Sequence, residues 1–240
     1  MNISDINVAV IRFPGSNCDL DTVYVLRRVF NLNAQLVWHK EFKDTKWDAV
    51  IIPGGFSYGD CLRAGVIAAR SPAMEHVKKL AKEGKPVLGI CNGFQILVES
   101  ELLPGALLMN STLTFICKWV TIRTETNRTA FTLSISRGSL LKIPIAHNEG
   151  RYYIDRKNLE ELKENDQIVF RYVDDRGNPS SDANPNGSID NIAGICSLEG
   201  NVVGLMPHPE RASESILSPS KMDHGKLIFG SMVEYIRRYL

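Results

Sequence analysis

The 240-residue sequence lacks paired cysteine motifs, phosphate-binding glycine loops and long apolar runs. Its five cysteines are widely spaced and include no Cys-x-x-Cys pair, which argues against both a disulfide framework and a zinc site. Neither Gly-x-x-x-x-Gly-Lys-Ser/Thr nor Gly-x-Gly-x-x-Gly occurs, so the sequence carries no signature of a nucleotide-phosphate site. No stretch predicts a transmembrane helix, and the first residues do not resemble a signal peptide.

The sequence also lacks an excess of either charge. It has 28 Lys and Arg against 27 Asp and Glu, a formal net charge of +1, so we expect neither a nucleic acid nor a membrane as partner. The odd number of cysteines favours a reducing compartment, and we expect a cytoplasmic protein. The length and the 44% hydrophobic content suit one domain that spans residues 1–240.

The hydrophobic pattern predicts alternating strands and helices in the first half and mainly strands in the second. The predicted strands of the first half cover residues 7–12, 34–38, 48–52 and 87–90, with helices at 19–30 and 72–83. The second half has predicted strands at 115–123, 168–172, 192–198 and 202–206, and a closing helix at 225–239. We therefore expect an α/β fold with a single-domain, open, mostly parallel sheet flanked by helices and a more strand-rich second half.

A cysteine stands between two glycines in residues 86–93, Pro-Val-Leu-Gly-Ile-Cys-Asn-Gly. A strand-like run precedes it and a helix-like run follows. This layout is typical of a nucleophile elbow, in which glycines such as Gly89 and Gly93 avoid collisions across a sharp turn. The helix N-terminus would favour the reactive thiolate form of Cys91. Because a lone cysteine is more often buried in a core, the elbow by itself only favours a catalytic role.

Residues 206–210, Met-Pro-His-Pro-Glu, combine a histidine with a carboxylate. Prolines follow both Met206 and His208 and bias them away from helix, which predicts an extended segment. In an extended chain residues two apart face the same way, so Glu210 should accept the ring N–H of His208 and orient the imidazole. With Cys91, this pair predicts a Cys-His-Glu triad rather than a structural histidine.

The strand predicted at 48–52 ends in Pro53-Gly54-Gly55. The backbone N–H of Gly55 and that of Asn92 could form an oxyanion hole, in which each donor lowers the barrier to acyl transfer by roughly 2.7–4 kcal/mol. An ordinary glycine turn is the alternative.

Two further features of the sequence leave alternatives open. His147 with Glu149 could be a second acid/base pair or part of a metal site, but the two make an incomplete ligand set, and we expect no metal. Residues 174–191 are dense in Asp, Asn, Gly, Pro and Ser, which predicts a long polar loop that is either functional or disordered.

Five blocks carry a family resemblance: PGGFSYGD at 53–60, GICNGFQ at 89–95, LPGA at 103–106, NPNGS at 184–188 and MPHPER at 206–211. Together they resemble the class I (triad) glutamine amidotransferases, and within them the glutaminase subunits of phosphoribosylformylglycinamidine synthase. The resemblance runs over essentially the whole chain. Cys61 stands where we expect an aromatic residue, and Asn148 where we expect glycine.

The resemblance implies that Cys91 is the nucleophile, His208 the general acid/base and Glu210 its orienting carboxylate. It also makes Gln95 a residue that contacts the substrate glutamine, although Gln95 could instead be a surface residue that only supports the helix. The implied products are glutamate and ammonia. No cofactor is expected in this chain; ATP and Mg are expected on a large synthetase subunit, together with a small bridging subunit in the same complex. We expect residues 174–191, and 184–188 in particular, to form part of the docking surface for that complex.

Three other functions remain possible from the sequence. The chain could be the glutaminase subunit of another amidotransferase, or an elbow-bearing cysteine hydrolase that acts on peptides. It could also be a binding subunit without activity, although intact Cys91, His208 and Glu210 disfavour that interpretation.

Overall fold

The computed structural model describes residues 2–240, in which one large sheet is flanked by five α-helices. The strands are β1 (Asn7–Arg12), β2 (Asn33–Trp38), β3 (Ala49–Ile52), β4 (Val87–Ile90), β5 (Ala106–Leu108), β6 (Ile116–Thr124), β7 (Leu140–His147), β8 (Arg151–Tyr153), β9 (Ile168–Val173), β10 (Ile192–Cys196) and β11 (Val202–Leu205). The helices are α1 (Asp19–Tyr24), α2 (Pro72–Lys82), α3 (Asn92–Glu99), α4 (Arg156–Glu164) and α5 (His224–Tyr239).

The large sheet has nine strands in the order β2-β1-β3-β4-β11-β10-β9-β6-β7. The five strands from β2 to β11 are parallel to one another. The four strands from β10 to β7 continue the sheet in antiparallel fashion. The expected open sheet with helices is confirmed, and its strand-rich second half is the antiparallel half. Strands β5 and β8 form a separate two-stranded ribbon.

The central parallel strands explain where the functional residues meet. Every residue of β3, β4 and β11 is buried, as expected for parallel strands covered on both faces. These three strands are neighbours, so their carboxyl ends lie side by side. The segments that follow them carry Gly54 and Gly55, Cys91, and His208 respectively. Open α/β sheets place their sites at this edge.

Helix α2 begins as the sequence predicts, and α1 does not end as predicted. The Ser71 side chain accepts the backbone N–H of Ala73, and Pro72 occupies the first turn of α2. The expected single helix over 19–30 is instead α1 followed by a π-helical turn at Val25–Val29. Leu20, in the first turn of α1, is 62% exposed. Among residues 2–240, no helix has the length and apolar character needed to cross a membrane.

Four regular elements, β5, β7, β8 and α4, were not predicted. Strand β7 contains Pro144, which cannot donate to a sheet and which reads as a strand breaker. The strand lies at the edge of the sheet, where one side of its backbone needs no partner, so the proline is tolerated. The Pro144 carbonyl accepts the backbone N–H of His208 at 2.8 Å. The missed strand therefore helps to place the predicted catalytic histidine.

Candidate active site

Cys91 occupies a strained turn between β4 and α3. Its φ of 50° and ψ of −104° fall in a region that side-chain-bearing residues rarely adopt, which is typical of functional elbows. The turn packs so closely on β3 that a Cβ on Gly93 would lie 1.9 Å from the Ile52 carbonyl oxygen. The sulfur of Cys91 is at the N-terminus of α3 and lies 3.7 Å from the Ala146 carbonyl oxygen. The residue is 5% exposed.

His208 and Glu210 form the expected pair, but on a different backbone. The Nδ1 atom of His208 lies 2.6 Å from Oε1 of Glu210, and both side chains are buried. The segment is not extended throughout, because Pro209–Ala212 forms a 3-10 turn directly after His208. The prediction of an extended segment was therefore wrong, while the predicted contact is present. The turn lets a carboxylate two residues away fold back onto the ring.

The surroundings of His208 favour its protonated form. Burial by itself would lower the pKa of the imidazole, but the charge of Glu210, followed by that of Cys91, raises this pKa well above its ordinary value. With Nδ1 bonded to Glu210, the Nε2 atom has no hydrogen-bond partner among residues 2–240. This nitrogen is therefore available for proton exchange with a substrate.

Gly54 leaves room for the His208 ring to pack against the backbone of the loop after β3. A Cβ at this position would lie 2.7 Å from Cε1 of His208 and 3.1 Å from Sγ of Cys18. The backbone amides of Gly55 and Asn92, the two expected oxyanion donors, make no hydrogen bond to another residue within 2–240. Asn92 is the first residue of α3, where an N–H has no partner in the helix. Their role in an oxyanion hole stays a prediction that this geometry permits.

Gln95 is buried and internally bonded, so the surface alternative for this residue was wrong. Its Oε1 accepts from Nδ2 of Asn92 at 2.8 Å, and its Nε2 donates to the Glu149 carbonyl at 2.6 Å. Asn92 in turn accepts the backbone N–H of Ser57 through Oδ1 at 3.1 Å. This chain of hydrogen bonds connects the segments that follow β3, β4 and β7. The expected contact between Gln95 and a substrate stays a prediction.

His147 and Glu149 do not form an acid/base pair. Nδ1 of His147 lies 3.0 Å from Oδ1 of Asn110, which also accepts the N–H of Gly150. Burial and then the nearby His208 lower the pKa of His147 to about 3, so its imidazole is neutral at physiological pH. The Glu149 carboxylate instead faces the backbone N–H of Ala64 at 3.4 Å.

The predicted polar loop is an ordered support of the site. Asn186 and Ser188 are buried, and they bond to the Gly150 carbonyl and to the Tyr152 N–H respectively. Asn184 accepts from the backbone of Gly187 and donates to the carbonyl of Ser188. Residues 184–188 therefore hold the segment after β7 in place. Of these five residues only Gly187 is exposed, and the docking role expected for residues 174–191 stays a prediction.

Sequence reasoning missed Cys18. This residue precedes α1, is buried, and its sulfur lies within 4.8 Å of donor atoms of both His208 and Glu210. A sulfur, an imidazole and a carboxylate can bind zinc. Here, however, the histidine and the carboxylate bond to each other, and Nη2 of Arg211 donates to the sulfur at 3.0 Å. A guanidinium cation at the sulfur opposes binding of a second cation.

Comparison with known proteins agrees with this geometry. Residues 5–236 match the model of the CobB/CobQ-like glutamine amidotransferase domain. The fold and the site thus define a glutamine amidotransferase domain.

Curated relatives narrow the assignment. The chain is 56% identical over 229 residues to the phosphoribosylformylglycinamidine synthase subunit PurQ of Methanosarcina mazei. The matched region covers 95% of this chain and 97% of the relative. It is 54% identical over 209 residues to PurQ of Aquifex aeolicus, covering 87% and 92%. The chain therefore belongs to the PurQ family of phosphoribosylformylglycinamidine synthase subunits.

Solved structures give the same result. A chain in the structure of PurLQS from Thermotoga maritima matches with a TM-score of 0.83 and 42% identity, covering 97% of this chain and 99% of that one. A second protein from Thermotoga maritima, described as a glutamine amidotransferase, matches with a TM-score of 0.58 at 16% identity, covering 98% and 97%. The second match shows a shared fold only.

Proposed function

We propose that this chain hydrolyses glutamine to glutamate and ammonia as the glutaminase subunit of a phosphoribosylformylglycinamidine synthase. The observation that carries the proposal is the strained Cys91 elbow, whose charge acts on the imidazole of the buried His208–Glu210 pair. Membership of the PurQ family supports the assignment to this synthase. The same triad geometry would also suit a different amidotransferase or a peptide hydrolase, and it is membership of the PurQ family that disfavours these alternatives.

The proposed reaction has two stages, formation of a thioester on Cys91 and its hydrolysis, and His208 transfers the protons in both. The Cys91 sulfur attacks the side-chain carbonyl carbon, and the amides of Gly55 and Asn92 hold the oxyanion. Nε2 of His208 donates its proton to the amide nitrogen, and the C–N bond breaks. Ammonia departs, and the glutamyl group remains on Cys91 as a thioester. Nε2 then takes a proton from water, whose oxygen attacks the thioester and releases glutamate from the sulfur.

Glu210 determines which ring nitrogen of His208 does this work. Its Oε1 accepts from Nδ1 at 2.6 Å, so the Nδ1 proton stays in place and only Nε2 exchanges protons. The buried carboxylate also stabilises the imidazolium that must be present when the amide nitrogen is protonated.

Ammonia needs an acceptor, and we assign that chemistry to partner subunits. A large synthetase subunit would bind ATP and Mg and convert formylglycinamide ribonucleotide to the amidine, with a small bridging subunit in the same complex. No cofactor is assigned to this chain. Residues 2–240 contain five free cysteines and no disulfide, which is consistent with a cytoplasmic setting.

We propose that the synthetase subunit docks on an exposed apolar patch beside the site, centred on the neighbouring rings of Phe56 and Phe115 and extended by Leu62 and Leu113, which are close to them in the sequence. These side chains are, in that order, 41%, 50%, 94% and 70% exposed, and the rings of Phe56 and Phe115 lie 6.3 Å apart. Phe56 directly follows Gly55, so the patch adjoins the site from which ammonia leaves. Apolar cover there would keep ammonia away from water, which protonates it at neutral pH.

The docking proposal is tested by gel filtration of the mixed subunits. Leu62→Asp with Phe115→Asp should abolish co-elution with the synthetase subunit, whereas Leu198→Asp is the control. Leu198 is 60% exposed and lies in the turn between β10 and β11, at the amino end of β11, whereas the site lies at the carboxyl ends of the parallel strands. Unchanged co-elution of the double variant would refute the patch.

The proposed function is tested by measuring glutamate release from glutamine with the purified synthetase and bridging subunits present. Cys91→Ser should abolish release and leave the circular dichroism spectrum unchanged. Cys61→Ser and Cys117→Ser, which replace exposed cysteines, should keep wild-type turnover. Turnover by Cys91→Ser would contradict the mechanism.

A further inference from the structure

Cys18 is a buried thiol beside the site for which the proposed mechanism has no use. Its backbone N–H donates to the Gly54 carbonyl at 3.1 Å, which ties it to the loop after β3. Its sulfur donates to Oδ1 of Asn17 at 3.1 Å and accepts from Nη2 of Arg211 at 3.0 Å. The side chain is 1% exposed. A sulfur with both hydrogen-bonding roles filled is fixed in position.

The contact with Arg211 is unusual because a better acceptor is nearby. Guanidinium groups prefer carboxylates, to which they bind with two parallel hydrogen bonds. Here Nε of Arg211 is 3.8 Å from Oε1 of Glu210, beyond hydrogen-bond distance. Oε2 of Glu210 is buried and has no hydrogen-bond partner among residues 2–240. The arginine therefore stops short of a carboxylate that has an oxygen to offer.

The protonated His208 and Arg211 thus both lie near the buried Glu210 carboxylate, and only His208 forms a hydrogen bond with it. His208 holds Oε1 of Glu210 through Nδ1, while Cys18 holds the outer end of the guanidinium. If the sulfur were absent, that end would lose its acceptor, and the unpartnered Oε2 would attract it. Glu210 would then share its charge between Arg211 and His208.

We propose that Cys18 is a positioning residue that holds the Arg211 guanidinium off the Glu210 carboxylate, so that this carboxylate serves His208 alone. The inference rests on the proposed glutaminase function and deepens it. Cys18 takes no part in the bond changes of the mechanism. Its sulfur also raises the pKa of the His208 imidazole directly, so the arm with Arg211→Met is needed to isolate the effect that passes through Arg211 and Glu210.

Other charged groups around His208 and Arg211 do not remove their competition for the Glu210 carboxylate. His208 faces Glu210, Cys91, Cys18 and, from β7, the neutral His147. Burial would lower the pKa of Arg211, but Cys18 and then Glu210 raise it, with a smaller contribution from Asp21. The guanidinium therefore stays charged at every pH of interest, and only its position can change.

The experiment measures kcat/KM for glutamine hydrolysis against pH in the full complex. Loss of the His208 proton sets the basic limb of this profile. Cys18→Ala should displace the basic limb to lower pH, with a roughly tenfold loss of kcat/KM on that limb. Cys18→Ser keeps an acceptor for Arg211 and should restore most of the profile. Cys18→Ala with Arg211→Met should also lack the displacement, since the competing cation is gone.

Cys196→Ala is the matched control. Cys196 is likewise buried and accepts from Nη2 of Arg128 at 3.4 Å, but its charged neighbours are Arg128, Asp166 and Glu199. This variant should lower the melting temperature without moving the basic limb. A merely structural role of Cys18 would give the same result for Cys18→Ala.

The inference is overturned if the basic limb of Cys18→Ala coincides with that of the wild type. It is also overturned if adding Arg211→Met to Cys18→Ala does not return the basic limb to its wild-type position. If Cys18→Ala does not fold, Arg211→Met by itself decides, because removal of the competing cation must not move the limb to lower pH. Wild-type glutamine turnover is measured in every arm, so a failure of the proposed function is seen separately from a failure of this inference.

Discussion

Replacing Glu210 by glutamine removes one charge from the buried pair and keeps its shape. Nδ1 of His208 and Oε1 of Glu210 are 2.6 Å apart, and both side chains are shielded from water. Two unit charges about 4 Å apart at an effective dielectric constant of about 20 interact by about 4 kcal/mol. If the reaction loses that stabilisation of the imidazolium, kcat falls roughly a thousandfold.

The rate falls in Glu210→Gln because the charge that stabilises the protonated imidazole of His208 is lost. Without the Glu210 charge, burial dominates and lowers the pKa of His208, so the imidazole is neutral when the departing amide nitrogen needs a proton. The glutamine amide can also donate to Nδ1, which would put the remaining proton on Nε2 and leave no base there. Both effects reduce the rate and leave the fold intact.

The assay is glutamate release by the complex at saturating glutamine, with thermal unfolding as a check on folding. Glu214→Gln is the control, because Glu214 lines the same surface cavity as Arg211 and has no contact with the His208 ring among residues 2–240. We expect wild-type turnover from Glu214→Gln. Less than a tenfold loss in Glu210→Gln would refute the assignment of Glu210.

Three further predictions concern stability. Between about pH 6.5 and 3 the unfolded chain binds a proton at position 147 that the folded chain does not, because His147 is buried with a pKa of about 3. His147→Gln should therefore lower the slope of unfolding free energy against pH in this range by up to about 1.4 kcal/mol per pH unit, measured by urea titration; an unchanged slope would contradict the burial argument. Gly93→Ala puts a Cβ 1.9 Å from the Ile52 carbonyl oxygen and should cost about 1–3 kcal/mol or more, seen as a lower melting temperature, while wild-type stability would show that the elbow relaxes easily. Ser71→Ala removes the N-cap of α2 and the hydrogen bond of Ser71 to His39, and it should cost about 1 kcal/mol or more in urea unfolding; no loss would argue against both contacts.

The parts of the site that were predictable are those with a local signal. The strand-to-helix turn at Cys91 follows from glycine spacing, and the His208–Glu210 contact follows from separation by one proline. The contact survives although the backbone turns, because a spacing of two residues brings side chains together both in an extended chain and in this 3-10 turn. The sequence could not distinguish these two backbones.

The parts that were missed depend on distant contacts. Cys18 is separated from Arg211 by 193 residues, and no local pattern connects them. Strand β7 was missed because Pro144 reads as a breaker, and only the sheet order shows that it lies at an edge. Residues 184–188 look like a surface loop by composition, yet Asn186 and Ser188 are buried against the segment after β7. Long-range packing decided each of these cases.

The most direct test of the central claim is to map the cysteine that a reactive glutamine analogue modifies. The complex is treated with a glutamine-derived diazoketone until glutamate release stops, and the chain is digested and analysed by mass spectrometry. We predict one label, on Cys91, with protection by excess glutamine and no label in His208→Ala. Loss of activity with the label on Cys18 or Cys61, or with Cys91 unmodified, would contradict the account.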